Sequence, residues 1–359
     1  MRIHQMTATL KFGDAVSNDV FEIDRRLKAW GLDGRIYAEH IDPRVAASCQ
    51  SDAAYLRFLD EPDDLLIYHY SIFTPNLEFY KRTRNRKIVI YHNITPPEFF
   101  RGIDSGLEAM CRTGRLMLGD LRGCELALAD SDFNRRELVA AGLPEEYTGV
   151  LPIFLSLDRF ASSQRDAVLY RQARRNGQVN LLYVGRLAPN KGCDDLLKVL
   201  YAYRRYVSPN AHLWLVGDSS LVIYSQYLEK LTARLNLQDA VSFAGRVSLS
   251  ALRTYYEAAD LFLYASRHEG FGVPLVECMY FDVPILAYNA TAVPETLGDA
   301  GVMFDAFAYP EVAEMAHLLA TNAGFRQAII AGQRRRLVDF TPDHVETRLR
   351  RIFEQLGVL

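Results

Sequence analysis

Apolar residues in this chain gather in short dense runs separated by longer amphipathic stretches, the pattern of strands alternating with helices. Strand candidates in the first half are 3–9, 35–40, 65–70, 87–92 and 126–129. The clearest helix pattern between them is 16–30, where Val20, Ile23, Leu27 and Trp30 recur at helical spacing and Gly31 follows as a stop. A second series of strand candidates runs through 180–185, 212–217, 241–244, 261–265, 284–287 and 302–304. Strands joined through helices predict right-handed βαβ units and parallel, doubly wound sheets.

The alternation breaks once. Residues 158–178 carry Ser162-Ser163, Arg171, Arg174, Arg175, Asn176 and Gly177 with little apolar periodicity, which predicts a linker between two Rossmann-like halves. Beyond Phe304 the pattern turns helical and ends in a helix over 345–356. That tail has two options, packing on the second half or crossing back to the first. The expected organisation is a first domain at 1–165, a second at 166–340 and a terminal helix at 341–359. Sheets of this kind bind ligands outside the carboxyl ends of their strands, so two of them facing each other predict a central cleft.

Composition narrows the class. With 359 residues, 49% hydrophobic and 24% charged, the chain can build two ordinary soluble cores. A net charge of −3 gives no reason to expect nucleic acid as a partner. Cys49, Cys111, Cys124, Cys193 and Cys278 are scattered, with no CxxC, which argues against a disulfide framework or a zinc site. The start of the chain lacks the apolar core of a secretory signal. No run approaches the ~18 apolar residues of a membrane span, so a cytoplasmic protein is expected. Asn93-Ile94-Thr95 and Asn289-Ala290-Thr291 then read as chance matches to the glycosylation sequon. The basic run from Lys81 to Lys87 reads as a solvated helix end. Its alternative is a peripheral contact with an anionic membrane face or a lipid-linked acceptor.

The densest chemistry follows the strand at 261–265. Glu269, Gly270, Phe271, Gly272 and Val273 lead into a helix that opens near Pro274 and carries Glu277. Glycines let a backbone approach a ligand closely, and the amides of a first helical turn favour phosphate. Two carboxylates bracketing an anion site suit sugar hydroxyls better than the anion itself.

The spacing Glu269 to Glu277 resembles the E-x7-E motif of the large retaining GT-B glycosyltransferase family (family 4 type). Gly185-Arg186-Leu187-Ala188-Pro189-Asn190-Lys191-Gly192 resembles that family's G-R-x-x-x-x-K-G segment. Phe243 to Ser248 resembles its nucleobase loop, and Tyr255-Tyr256-Glu257-Ala258-Ala259-Asp260 the helix leading into the motif strand. The resemblance implies that Glu269 contacts donor-sugar hydroxyls and Glu277 the ribose. It implies that Arg186 and Lys191 neutralise the diphosphate, helped by amides from Phe271 to Pro274, and that the base is read near Arg246 and Val247. Positioned cations and amides stabilise charge on a departing nucleoside diphosphate, so no metal and no separate cofactor are expected.

The first half fits that family less closely. Its glycine loop has one glycine, Gly13, followed by Asp14, where the family often has two. Gly13 could still approach the donor phosphate or an acceptor, while Asp14 and Asn18 either bind acceptor hydroxyls or cap the next helix. His92, at a strand end, resembles the family histidine near the donor sugar and acceptor nucleophile. His69 stands at an equivalent strand end, and both rings could position hydroxyls or shift protons near neutral pH. Asp130-Ser131-Asp132 reads as a helix N-cap in preference to a metal-binding D-x-D.

The expected function is retaining transfer of a hexose such as mannose, glucose or N-acetylglucosamine from a UDP- or GDP-sugar to a glycan or lipid-linked acceptor. The setting expected is bacterial polysaccharide or glycolipid synthesis at the inner face of the membrane. Two alternatives are a catalytically silent nucleotide-sugar-binding subunit and a GT-B epimerase.

Overall fold

The computed structural model describes residues 1–174 and 177–359, and these form two compact units. The first comprises Met1–Arg101, Ser105–Ser156 and Asp339–Leu359; the second comprises Gly102–Asp104 and Leu157–Val338.

The first unit holds a seven-stranded sheet: β1 (Ile3–Leu10), β2 (Ile36–Ile41), β3 (Gln50–Ser51), β4 (Leu65–Tyr70), β5 (Arg86–Tyr91), β6 (Leu126–Ala129) and β7 (Thr148–Val150). The order is β3-β2-β1-β4-β5-β6-β7, and every pairing is parallel. All six residues of β4 are buried, including His69, because a central parallel strand is covered on both faces and shows no polar alternation. The second unit's six strands are β8 (Val179–Val184), β9 (Ala211–Val216), β10 (Val241–Gly245), β11 (Leu261–Tyr264), β12 (Ile285–Tyr288) and β13 (Val302–Phe304). They are ordered β10-β9-β8-β11-β12-β13, again all parallel. In each sheet the order reverses once, beside β1 in the first and beside β8 in the second, which is where such sheets place ligands.

The long runs match the pattern of apolar positions to within a residue or two. The edge strands β3 and β7 were not expected, since two or three residues are too few to show a period. The expected linker is a larger departure. Most of it is helical, in Asp158–Ala161 and Ala167–Ala173, and belongs to the second unit. Phe160 is fully buried against Tyr256, Tyr280 and Phe281, so one residue anchors a helix too short to display periodicity. Asp166 caps the next helix, and Arg174 pairs with Asp260 at 2.6 Å. Arg175 and Asn176 lie outside the described residues.

The terminal helix Pro342–Gln355 contributes Val345, Leu349 and Phe353, a stripe at i, i+4, i+8, to the first unit's core with Ile3, Ile23, Leu27 and Ile88. Arg26, buried, reaches Glu346 at 3.2 Å, and Arg86 donates to the Leu356 carbonyl at 2.6 Å. The basic run is therefore partly committed within this unit, with Arg86 on Glu125 at 2.7 Å and Lys81 between Glu78 and Asp120 at 3.3 Å each. Among the described residues no helix is long and apolar enough to cross a membrane. Truncating Phe353 to Ala should destabilise the first unit by about 3–5 kcal/mol in urea unfolding. A loss below ~1 kcal/mol would show that the terminal helix is not part of that core.

Candidate functional site

In the second unit β8 and β11 are neighbours, so the loops leaving their carboxyl ends lie side by side. These loops are bonded to each other. The Arg267 amide donates to the Asn190 carbonyl at 2.8 Å, and the Asn190 side-chain amide donates to the His268 carbonyl at 3.2 Å. Gly192 follows with φ of 63°, and a Cβ there would stand 2.3 Å from the Ala265 carbonyl oxygen. Only glycine permits this approach. The result brings the Lys191 ammonium to 2.5 Å from Glu269 Oε1.

Glu269 is nearly buried. Its Oε1 also accepts from the hydroxyls of Ser266, at 2.6 Å, and Tyr264, while Oε2 accepts no hydrogen bond among the described residues. Burial alone would raise this carboxyl; Lys191 and the two hydroxyls outweigh it and hold the group below its ordinary value. The Glu269 amide donates to Thr291 Oγ1 at 2.9 Å. Thr291 has φ of 51°, an uncommon conformation for a β-branched residue, and so sits strained against the site.

The helix Val273–Tyr280 starts at Gly272 without a side-chain cap, with Pro274 in its first turn. Glu277 is 3% exposed; Oε1 accepts from Arg159 Nη2 and Oε2 from the Tyr256 hydroxyl, both at 2.6 Å. Burial raises its carboxyl despite these partners. Phe271 is buried, and its carbonyl accepts from Thr296 at 2.6 Å, so its side chain packs rather than lines an opening. Gly270, Val273 and Arg186 are partly exposed, and the Arg186 carbonyl accepts from the Tyr183 hydroxyl at 3.1 Å. Val247 follows β10 at the sheet edge, beside Arg246, which pairs with Asp218 at 3.1 Å. Arg159, Tyr256, Tyr264 and Thr291 escaped sequence reasoning because no spacing links them to the glutamates. Thr291 lay within an apparent chance sequon.

Gly13 and His92 belong to the first unit. Gly13 turns at φ of 77° with open space where a Cβ would stand. Asp14 is the helix cap, accepting from the Ser17 amide and hydroxyl at 3.1 Å each. His92 does not present a ring nitrogen. Its side chain is fully buried, with Nε2 2.9 Å from His69 Nδ1 and Nδ1 3.1 Å from Asp130. The tautomers follow from the far end of this chain. Gln5 donates its amide N–H to the Val20 carbonyl, so its oxygen faces His69 Nε2, which must be the donor. His69 Nδ1 then accepts, His92 Nε2–H donates, and a single proton is shared between His92 Nδ1 and Asp130. Burial, with the His92 charge adding to it, lowers His69 well below the ordinary imidazole range, so it is a fixed neutral link rather than a proton shuttle. Burial works against charge on His92 too, but the carboxylates around it, Asp130 first, raise it overall. The helix after β6 is capped by Ser131, as expected, whereas Asp130 turns inward to the imidazole.

Asp19 completes this cluster. One of its oxygens lies within 4.8 Å of nitrogens of both His69 and His92, a set that resembles a metal site. The two rings, however, are 3° from parallel with centroids 5.2 Å apart, so their nitrogens face each other along a hydrogen bond. Lone pairs so arranged do not converge on a third point ~2 Å from both, as a metal requires. Desolvation pushes the Asp19 carboxyl up to about 7. The folded chain therefore holds that proton more tightly than the unfolded one, and stability should fall as pH rises from about 4 to about 7, by about 4 kcal/mol at most. Asp19→Asn should flatten this slope in urea titrations across that window; an unchanged slope would exclude Asp19 as its source.

With the geometry in place, comparison with known proteins assigns the chain. The family model for glycosyl transferases group 1 matches residues 168–352. An O-antigen chain mannosyltransferase B of Escherichia coli is 28% identical over 187 residues, 52% of this chain and 49% of the relative. A GDP-mannose-dependent alpha-(1-6)-phosphatidylinositol monomannoside mannosyltransferase of Mycobacterium tuberculosis is 29% identical over 207 residues, 55% of this chain and 52% of the relative. The chain thus spans about half the length of the curated relatives it matches. Among solved structures, Anabaena HepE in complex with UDP-glucose superposes with a TM-score of 0.74 at 19% identity, over 100% of both chains. Sucrose-phosphate synthase from Thermosynechococcus elongatus gives 0.79 at 17% identity, over 99% of both. This likeness shows the fold, two parallel α/β units of the GT-B class. The chain belongs to the glycosyl transferases group 1 family.

Proposed function

We propose that this protein transfers a hexose from a UDP- or GDP-sugar to a hydroxyl of a glycan or lipid-linked acceptor, with retention at the anomeric carbon. The observation that carries this reading is the Glu269 carboxylate, fixed through Oε1 by Lys191, Ser266 and Tyr264 while Oε2 is left to accept. A carboxylate so held is pre-organised for a sugar hydroxyl, and the Lys191 ammonium beside it supplies positive charge of the kind a departing diphosphate needs. Relatives named as mannosyltransferases, one of them GDP-mannose-dependent, support a hexose donor, as do solved structures of HepE with UDP and UDP-glucose.

In this mechanism the bond from the anomeric carbon to the phosphate oxygen breaks and negative charge grows on the diphosphate. Lys191, Arg186 and the amides opening the helix Val273–Tyr280 stabilise that charge, with no metal required. The acceptor hydroxyl forms the new bond from the same face, and its proton passes to the departing phosphate oxygen. Glu277 takes the ribose hydroxyls. His92, with both ring nitrogens engaged inside the first unit, is not the base in this proposal.

Incubation with a panel of UDP- and GDP-sugars and candidate acceptors should release nucleoside diphosphate and give a product of the donor's anomeric configuration by NMR. Lys191→Ala should lower kcat/KM on the order of 10²-fold. Neither binding nor turnover with any donor of the panel would overturn the proposal.

A further inference from the structure

Glu277 takes its cation from outside the two interlocked loops, from a residue at the opening of the second unit. We propose that Arg159 is a positioning residue for nucleotide binding, which with Tyr256 holds Glu277 as an oriented carboxylate able to accept both hydroxyls of a ribose. This inference rests on the donor reading above and adds to it the group on which Glu277 depends.

Two ribose hydroxyls are two donors, and they need two acceptor oxygens. A carboxylate supplies both, whereas a protonated carboxyl turns one of them into a competing donor. Glu277, with its side chain 5% exposed, stands where burial favours the protonated form. Arg159, Tyr256 and Cys278 are the titratable groups that face it, and Arg159 alone among them carries positive charge.

The two partners of Glu277 are themselves anchored together. Tyr256 stacks on Phe281 with centroids 5.0 Å apart and planes 8° apart, and Phe160, next to Arg159, meets both rings edge-on. The Phe160 carbonyl accepts from Arg253 at 2.9 Å, which fixes the short helix Asp158–Ala161. The aromatic cluster thereby sets the direction from which each carboxylate oxygen is held. The bridge leaves part of the guanidinium uncommitted. Only one nitrogen of the Arg159 fork meets the carboxylate, and the buried Nε–H has no acceptor among the described residues. Arginine–carboxylate pairs are frequently bidentate, and here one donor of the fork is left over.

The experiment is calorimetric titration of UDP and GDP, and of their 2′-deoxy counterparts, from pH 5.5 to 8.5. The proteins are wild type, Arg159→Ala, Arg159→Gln, Arg159→Lys and Glu277→Gln, each checked for native melting. Wild type should prefer the ribonucleotides across the range. Arg159→Ala and the isosteric Arg159→Gln should bind them about tenfold or more weakly at the acid end. They should recover as pH rises and Glu277 loses its proton, while Arg159→Lys should restore most of the affinity. Glu277→Gln should be weak at every pH and lose the preference for ribose. If the Arg159 variants fold and bind as wild type while Glu277→Gln is impaired, Arg159 is only structural and this proposal falls alone. If Glu277→Gln also binds as wild type, the ribose role of Glu277 falls and the proposal with it.

Discussion

The second unit depends on one adjacency, that of β8 with β11. Because these strands pair, Lys191 and Glu269, 78 positions apart in the chain, meet at their carboxyl ends. The loops are bonded through Asn190, and the close approach at Gly192 permits no side chain. A carboxylate this buried, left without its cation, would cost several kcal/mol, so the contact also enforces the packing around it. Chemistry and architecture thus share one constraint.

The pattern of apolar residues was enough to read both sheets apart from the short edge strands β3 and β7. Central parallel strands such as β4 are continuous buried runs. It was not enough for the segment after Leu157, where a single buried Phe160 anchors a helix without any period. The residues proposed for the donor site stood out because glycines and charges with fixed spacing lie within two short loops. Arg159 and Thr291 were not, since each reaches a glutamate only through tertiary packing. The direction of Asp130 was equally hidden. From the sequence, Asp130-Ser131-Asp132 is a cap, and only the fold turns its first aspartate onto His92.

The first unit shows a different use of polar groups. Gln5, His69, His92 and Asp130 form a buried line in which the donor of each bond is set by the one before it. Such a line loses more than one bond when broken, because every later tautomer changes with it. Asp19 lies close to that line, and its raised carboxyl reports first the cost of burying a charge away from water. The histidine singled out by its strand-end position is therefore an inner member of a buried hydrogen-bonded line rather than an exposed group.

The helix Pro342–Gln355 has a consequence for how the chain is made. Its stripe of Val345, Leu349 and Phe353 completes a core begun by Ile3 and Ile23, and the whole of Leu157–Val338 lies between. Topologically the second unit is an insertion in the first. On the ribosome, residues that seal the first core emerge after the entire second unit, which can close its own sheet sooner. Until then the face of Ile3, Ile23 and Leu27 stays uncovered. Vectorial synthesis thus makes the amino-terminal unit the later of the two to finish, and its unsealed core is the surface a chaperone would find.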